Sequence, residues 1–217
     1  MKARMLAILL GAAIFAIIYF RFLKMEFQST ASLEDSIATI CSMAVVDVEY
    51  TAQKNKILSI INRHNRSIGE QDKEKIAKEI IKSGLIYSNL SVDLICAVIT
   101  HESANTWNPR IVSPAGAIGL MQIMPNTGML FAVTINDDRS DIVTILSDPI
   151  ANIKIGCYYL DILIGNYGVD VGLAAYNGGE AQARRWMATN FSPMSLCTET
   201  RNYVPAIITL CTHYNTL

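Results

Sequence analysis

Apolar residues recur through this chain at spacings of three and four, and no run alternates apolar and polar residues long enough to build a sheet. The pattern predicts a mainly α protein. Ser91 is a good N-cap for a helix carrying Val92 to Ser103, because its hydroxyl can accept an orphan backbone N–H. Asp148-Pro149 opens another helix through Cys157 and Leu160 to about Asn166, and Gly168 ends it. A short helix leads to Ala174-Ala175-Tyr176-Asn177-Gly178-Gly179, where two glycines predict a turn. Thr198 is expected to cap the last helix, with Glu199 in its first turn and Tyr203, Ile207 and Leu210 on one face. Upstream, Gln71 to Tyr87 reads as amphipathic, with Ile76, Ile80 and Ile81 inward and Lys73, Lys75, Lys78 and Lys82 outward.

The hydrophobic fraction of 51% is high for a soluble protein, and the excess has an address. Met5 to Phe20 carries no charge, and the run reaches Leu23 if Arg21 snorkels. A bilayer core asks for about 20 helical residues, so this is a short transmembrane helix or a signal peptide. Arg21, Lys24 and Glu26 separate the run from the small residues Ser29-Thr30-Ala31, which favours an uncleaved anchor over cleavage. Either way the remainder lies outside the cytoplasm: anchored at the inner membrane and facing the periplasm, or exported in soluble form. The expected organisation is 1–27 anchor or signal, 28–68 helical stalk or addition, and 69–217 a catalytic domain after the break at Gly69. The formal net charge of -1 and the lack of a basic block give no footprint for nucleic acid.

Five cysteines, 41, 96, 157, 197 and 211, include no CxxC pair, and no particular disulfide is predicted. Cys96 and Cys157 lie in apolar helical surroundings and read as small buried hydrophobes. His101-Glu102 invites a zinc-protease reading, but Asn105 stands where the second histidine is required. No nucleophile elbow and no phosphate loop is present, so neither metal nor cofactor is expected. Carboxylate acid–base chemistry remains. Glu102 follows Ile95, Val98 and Ile99 on a core-facing stripe. It is either paired and quiet or desolvated and partly protonated at neutral pH, and the residue alone leaves both readings open. Glycoside cleavage runs on carboxyl groups without a cofactor. Glu199 is the other carboxylate in a plausible site segment, although a first-turn helix carboxylate accounts for it equally well.

The ordered blocks Glu102-Ser103, Ser113 to Pro125 (SPAGAIGLMQIMP), Asp148 to Leu160 (DPIANIKIGCYYL), Ala174 to Gly179 (AAYNGG) and Glu199 to Val204 (ETRNYV) resemble the catalytic domain of the soluble lytic transglycosylases, which cut peptidoglycan. The likeness spans roughly Asp72 to Leu217. One block alone is weak, but several in the family's order are specific. The resemblance implies a lysozyme-like helical fold with a substrate groove. It makes Glu102 the single acid/base and Ser103, its neighbour at the helix end, one of the substrate-binding residues. It makes Ser113 a serine contacting the sugar, Gln122 and Met124 groove positions, Tyr176 and Asn177 the opposite lining, and Glu199 and Tyr203 residues that help hold site and saccharide. Plain core for Met124 and a buried, bonded tyrosine for Tyr176 are the competing readings. One departure is visible: Ala104-Asn105-Thr106-Trp107 makes the interval after Ser103 longer than in the common form of the family.

The mechanism implied by the resemblance needs no carboxylate nucleophile. Protonated Glu102 would donate to the oxygen of the β-1,4 link between N-acetylmuramic acid and N-acetylglucosamine. The ionised group would then take the proton of the muramic C6 hydroxyl as that oxygen closes on C1, leaving a 1,6-anhydro end. The implied partners are peptidoglycan glycan strands and the membrane, with wall turnover, a secretion or conjugation apparatus, or viral entry as alternative settings. A goose-type muramidase, which would leave reducing ends, and a non-catalytic wall-binding assembly protein are the other functional readings.

Overall fold

A computed structural model of the chain describes residues 19–21, 24–25, 39, 41–135 and 141–217. The chain divides into two compact units, Met1–Tyr50 and Thr51–Leu217. In the first, the described residues are helical, and the stretch 41–50 exposes Met43, Val45, Val46 and Val48. Among the described residues no helix is long and apolar enough to cross a membrane. The expected anchor, Met5 to Phe20, lies outside them apart from Tyr19 and Phe20.

The second unit is helical, with only isolated bridges and no strand among its described residues. It begins earlier than the break at Gly69 suggests. Helix α1 (51–64) buries Ile57, Ile60 and Ile61 at the i, i+3, i+4 spacing of a core-facing stripe, so these residues belong to the domain rather than to a stalk. Lys56 fastens α1 to the next core helix but one through a 2.6 Å ion pair with Asp93.

Helix α2 (Glu70–Ile86) turns Ile76, Ile80 and Ile81 inward as expected, but Lys73 is buried rather than outward. Position 73 lies three residues before Ile76 on the inward stripe, so its stem is covered while its ammonium reaches Glu70 at 2.6 Å. Helix α3 (Val92–Glu102) is capped by the Ser91 side chain, which accepts from the Leu94 N–H, and every residue from Leu94 to Thr100 is buried. After an irregular segment come α4 (Pro125–Phe131) and α5 (Ile142–Ser147). Helix α6 (Pro149–Tyr167) starts on the Asp148 carboxylate, which accepts from the N–H groups of Ile150 and Ala151, and stops at Gly168, φ 79°.

Two expected boundaries move. Helix α7 (Val169–Gly178) runs through Ala174-Ala175-Tyr176-Asn177-Gly178, so the turn is left to Gly179 alone, φ 81°. Gly178 answers to space instead: a Cβ there would lie 2.5 Å from Thr200 Oγ1. Helix α8 (Glu180–Ala188) follows. At α9 (Thr198–Asn215) the extended residue at the N-cap is Cys197, and Thr198 is already helical and caps nothing. The Cys197 N–H donates instead to the Gln182 side-chain oxygen from α8.

Helix α3 packs on α9, α7 lies against α6, α8 and α9, and α2 covers α3 and α6. The C-terminal ends of α3 and α7 thus reach the first turns of α9, which sets the position of the site.

Candidate active site

Glu102 is the last residue of α3, and the apolar residues that make this helix central also bury its end. Ile95, Val98 and Ile99 are fully buried beneath it. The residue keeps part of its surface exposed, but its carboxyl is largely enclosed. Burial raises its pKa from an ordinary 4.5 to about 7, an interaction with the Tyr203 hydroxyl opposes the rise, and the charge of Glu199 adds to it. At neutral pH such a group is divided between acid and base, which suits it to give and then take a proton. Of the two readings open for this residue, the desolvated one holds.

Tyr203 is 1% exposed, and its hydroxyl has no hydrogen bond of ordinary geometry. Its influence on Glu102 therefore acts through a looser approach. Tyr176 at the end of α7 donates its hydroxyl to the Met121 carbonyl at 2.8 Å. Burial, then the nearby Glu102 charge, holds its proton well above the usual range. Glu199 in the first turn of α9 is exposed and accepts from the Asn177 amide at 3.3 Å. The Asn177 oxygen accepts in turn from Thr200 Oγ1 at 2.7 Å. The fold thus gathers Glu102, Tyr176, Asn177, Glu199 and Tyr203 from three helices.

The Gly-rich segment is built by turns rather than helix, and Tyr176 ties it to the end of α7. Ile118 and Ile123 exchange backbone hydrogen bonds at 3.0 Å, closing a tight loop around Gly119 and Gln122, which have φ 81° and 48°. Gln122 donates its side-chain amide to the Gly119 carbonyl at 2.9 Å and to that of Ile111 at 3.3 Å. Ser113 accepts from the Ala117 N–H at 3.0 Å, bracing its own turn, and is partly exposed. Met124 is the N-cap residue of α4 and is 42% exposed, which counts against plain core.

Ser103 departs from its expected place. It is fully buried, and its hydroxyl accepts from the Trp107 N–H at 3.0 Å, so it shapes the loop after Glu102 instead of facing a ligand. The same loop holds Ala104, Asn105 and Trp107 at φ 51°, 61° and 47°. Trp107 is fully buried, and its indole donates to Thr100 Oγ1 at 2.8 Å. Thr100 shares a 2.8 Å hydrogen bond with the Tyr214 hydroxyl, which reaches His64 Nε2 at 3.3 Å. His64 Nδ1 donates back to the Asn105 carbonyl at 3.0 Å.

Asn152 on α6 is a further residue that sequence reasoning passed over. It is fully buried, donates to the Ile118 and Leu146 carbonyls at 2.8 and 3.0 Å, and accepts from the Met121 N–H at 2.8 Å. It thereby pins the turn that carries Gln122. A Cβ on Gly119 would meet the Asn152 amide and lie 2.8 Å from the Leu146 carbonyl, so the glycine is required by space as well as by φ. The signal was a lone amide between Ala151 and Ile153 in an apolar helix. Among the described residues no group of three or more His, Cys, Asp or Glu could hold a metal ion.

The family profile described as the transglycosylase SLT domain matches residues 79–194. A soluble lytic murein transglycosylase of Escherichia coli (strain K12) is 34% identical over 128 residues, which is 54% of this chain and 20% of that protein. A transglycosylase of Enterobacteria phage PRD1 is 36% identical over 116 residues, 53% of this chain and 39% of that one. The crystal structure of the 70 kDa soluble lytic transglycosylase of Escherichia coli superposes with a TM-score of 0.56 at 28% identity, covering 64% of this chain and 24% of that one. The chain thus spans about a fifth of the length of the first of these relatives.

Proposed function

This chain belongs to the transglycosylase SLT domain family, and from that premise we propose that it is a lytic transglycosylase cleaving the β-1,4 bond between N-acetylmuramic acid and N-acetylglucosamine in peptidoglycan. The observation that carries the reading is the state of Glu102: a carboxyl with a pKa of about 7, flanked by two tyrosines and by Glu199. Protonated, it donates to the leaving glycosidic oxygen. Ionised by that step, it removes the proton of the muramic C6 hydroxyl as the C6 oxygen bonds to C1, so the proton is returned and no water is consumed. Gln122, Tyr176, Asn177, Glu199 and Tyr203 hold saccharide and acid in register, with Ser113 and Met124 at the exposed rim. Ser103 acts on the loop.

The test is mass spectrometry of muropeptides released from purified sacculi. The intact enzyme should give 1,6-anhydro ends, and Glu102→Gln should lose at least about 10²-fold in turnover, the lower bound for removing a general acid–base group. Reducing ends would assign hydrolysis instead, and near-normal release by the variant would remove Glu102 from the chemistry.

The N-terminal apolar run supports a second part of the proposal, that Met5 to Phe20 anchors the protein at the inner membrane with the enzyme in the periplasm. There it would open glycan locally, as wall turnover or a secretion or conjugation apparatus requires. Recovery of a soluble exported form beginning near Ser32 would show cleavage in place of anchoring.

A further inference from the structure

His101 is the titratable group beside the acid that the proposed mechanism does not use. Its ring stands edge-on to that of Tyr203, with centroids 4.8 Å apart and planes at 78°, the T-shaped arrangement that aromatic pairs favour. The other end of Tyr203 is free of direct restraint: the buried hydroxyl has no hydrogen bond of ordinary geometry, yet it acts on Glu102 in the sense that favours the carboxylate. Where such a ring sits must therefore be fixed by what packs on it. His101 and Glu102 are consecutive on α3, about 100° apart around the axis, so one helix end presents both the acid and the ring that meets Tyr203.

We propose that His101 is a positioning residue, which through its edge contact on the Tyr203 ring holds that tyrosine in place beside Glu102. The inference rests on Glu102 as the acid/base of the proposed reaction. The groups facing this cluster are Glu199 and Tyr203 of α9 and Tyr176 of α7, and Glu199 acts on both His101 and Glu102. Burial lowers the His101 pKa, so the ring is neutral at neutral pH. Its influence there passes through packing on Tyr203 rather than through charge.

The carboxyl of Glu102 can be followed by isotope-edited spectroscopy across pH 4 to 9, independently of turnover. The set is the intact protein, His101→Leu, His101→Ala, His101→Phe, Tyr203→Phe, and His101→Leu combined with Tyr203→Phe. Loss of the ring in His101→Leu and His101→Ala should raise the midpoint by about 0.5 pH unit or more, the scale of one weak hydrogen bond. His101→Phe, which keeps an aromatic edge, should stay near the intact value. Tyr203→Phe should raise the midpoint, and adding His101→Leu to it should shift it no further. The alkaline limb of kcat/KM should move with the midpoint, which a loss of stability alone would not cause. A fall of the midpoint in His101→Leu would mean that the ring only excludes water, and equal shifts in the leucine and phenylalanine variants would mean charge. Either result, or no shift at all, overturns the proposal. If Glu102→Gln still releases muropeptides, the proposed function fails while this coupling can still be read.

Discussion

Replacing Glu102 by glutamine should make the protein more stable while silencing it, and the gain should depend on pH. The folded site holds the Glu102 proton up to about pH 7, whereas an unfolded chain releases it near 4.5. Between those values the folded state binds more protons than the unfolded one, so raising the pH favours unfolding. The penalty is absent below pH 4.5, grows through the window, and is complete above pH 7. Its full size follows from the shift and is about 3 kcal/mol. Glutamine keeps the shape without the titration, so it adds at most a constant offset. Urea unfolding of the intact protein and of Glu102→Gln, followed at pH 4, 5, 6, 7 and 8 by fluorescence of the two tryptophans, measures the gap directly. Other groups titrate in both proteins and cancel to first order. The variant should gain on the intact protein by about 3 kcal/mol between the ends of the series. A gap that does not change with pH would refute the assignment of a desolvated, raised carboxyl.

The same ionisation should appear in catalysis as an alkaline limb in kcat/KM, with a midpoint near 7, because the donor is lost as Glu102 ionises. An activity flat to pH 9 on insoluble sacculi and on a soluble glycan fragment alike would contradict it. Asn152→Leu, of similar volume, strands the Leu146 carbonyl and the Met121 N–H that Asn152 now satisfies, while the Ile118 carbonyl keeps the Ile123 N–H. At about 1–3 kcal/mol for each buried group left unpaired, urea unfolding should report a loss of at least about 2 kcal/mol. Turnover should fall with it, since the Gln122 turn loses its anchor; a loss under about 1 kcal/mol would mean that the turn holds itself.

Local chemistry made much of this fold legible, because a cap is decided within a few residues. Ser91 and Asp148 start their helices as their side chains require, and Gly168 ends one. The errors fall where a distant element decides. Gly178 looks like a turn residue, but Thr200 and Gln182 leave no room for a Cβ, so the glycine serves a helix crossing. Thr198 looks like a cap, but Gln182 on α8 holds the Cys197 N–H and fixes the start one residue earlier. Periodicity gave Lys73 to solvent because of its charge, although its place on the inward stripe was visible beside Ile76. The site shows the same division. Burial of Glu102 could be read from Ile95, Val98 and Ile99, but no spacing within one helix could bring Tyr176 and Glu199 to it. That association came from the family likeness of the ordered blocks. Asn152 escaped notice, and His101 was weighed only as a metal ligand, because each meets its partner far away in sequence.

The longer loop after Ser103 sits where strain and function meet. Ala104, Asn105 and Trp107 all have positive φ. Such backbone costs of order 1–3 kcal/mol per residue and persists only where its surroundings over-determine it. Here the surroundings are identifiable: the Trp107 indole on Thr100, Thr100 on Tyr214, Tyr214 on His64, and His64 back on the Asn105 carbonyl. The circuit ties the last turn of α3 to the far end of α9 and to α1. Its members are mutually supporting, since the loop residue Asn105 is held by a histidine that the loop itself helps to orient. The consequence reaches the chemistry. Glu102 lies two residues after Thr100, so what fixes the Thr100 hydroxyl also fixes the helix end from which the carboxyl projects. The acid is thereby held in a buried, costly position by groups that never approach a substrate, and α1, read from the sequence as part of a helical stalk or N-terminal addition, supplies one of them.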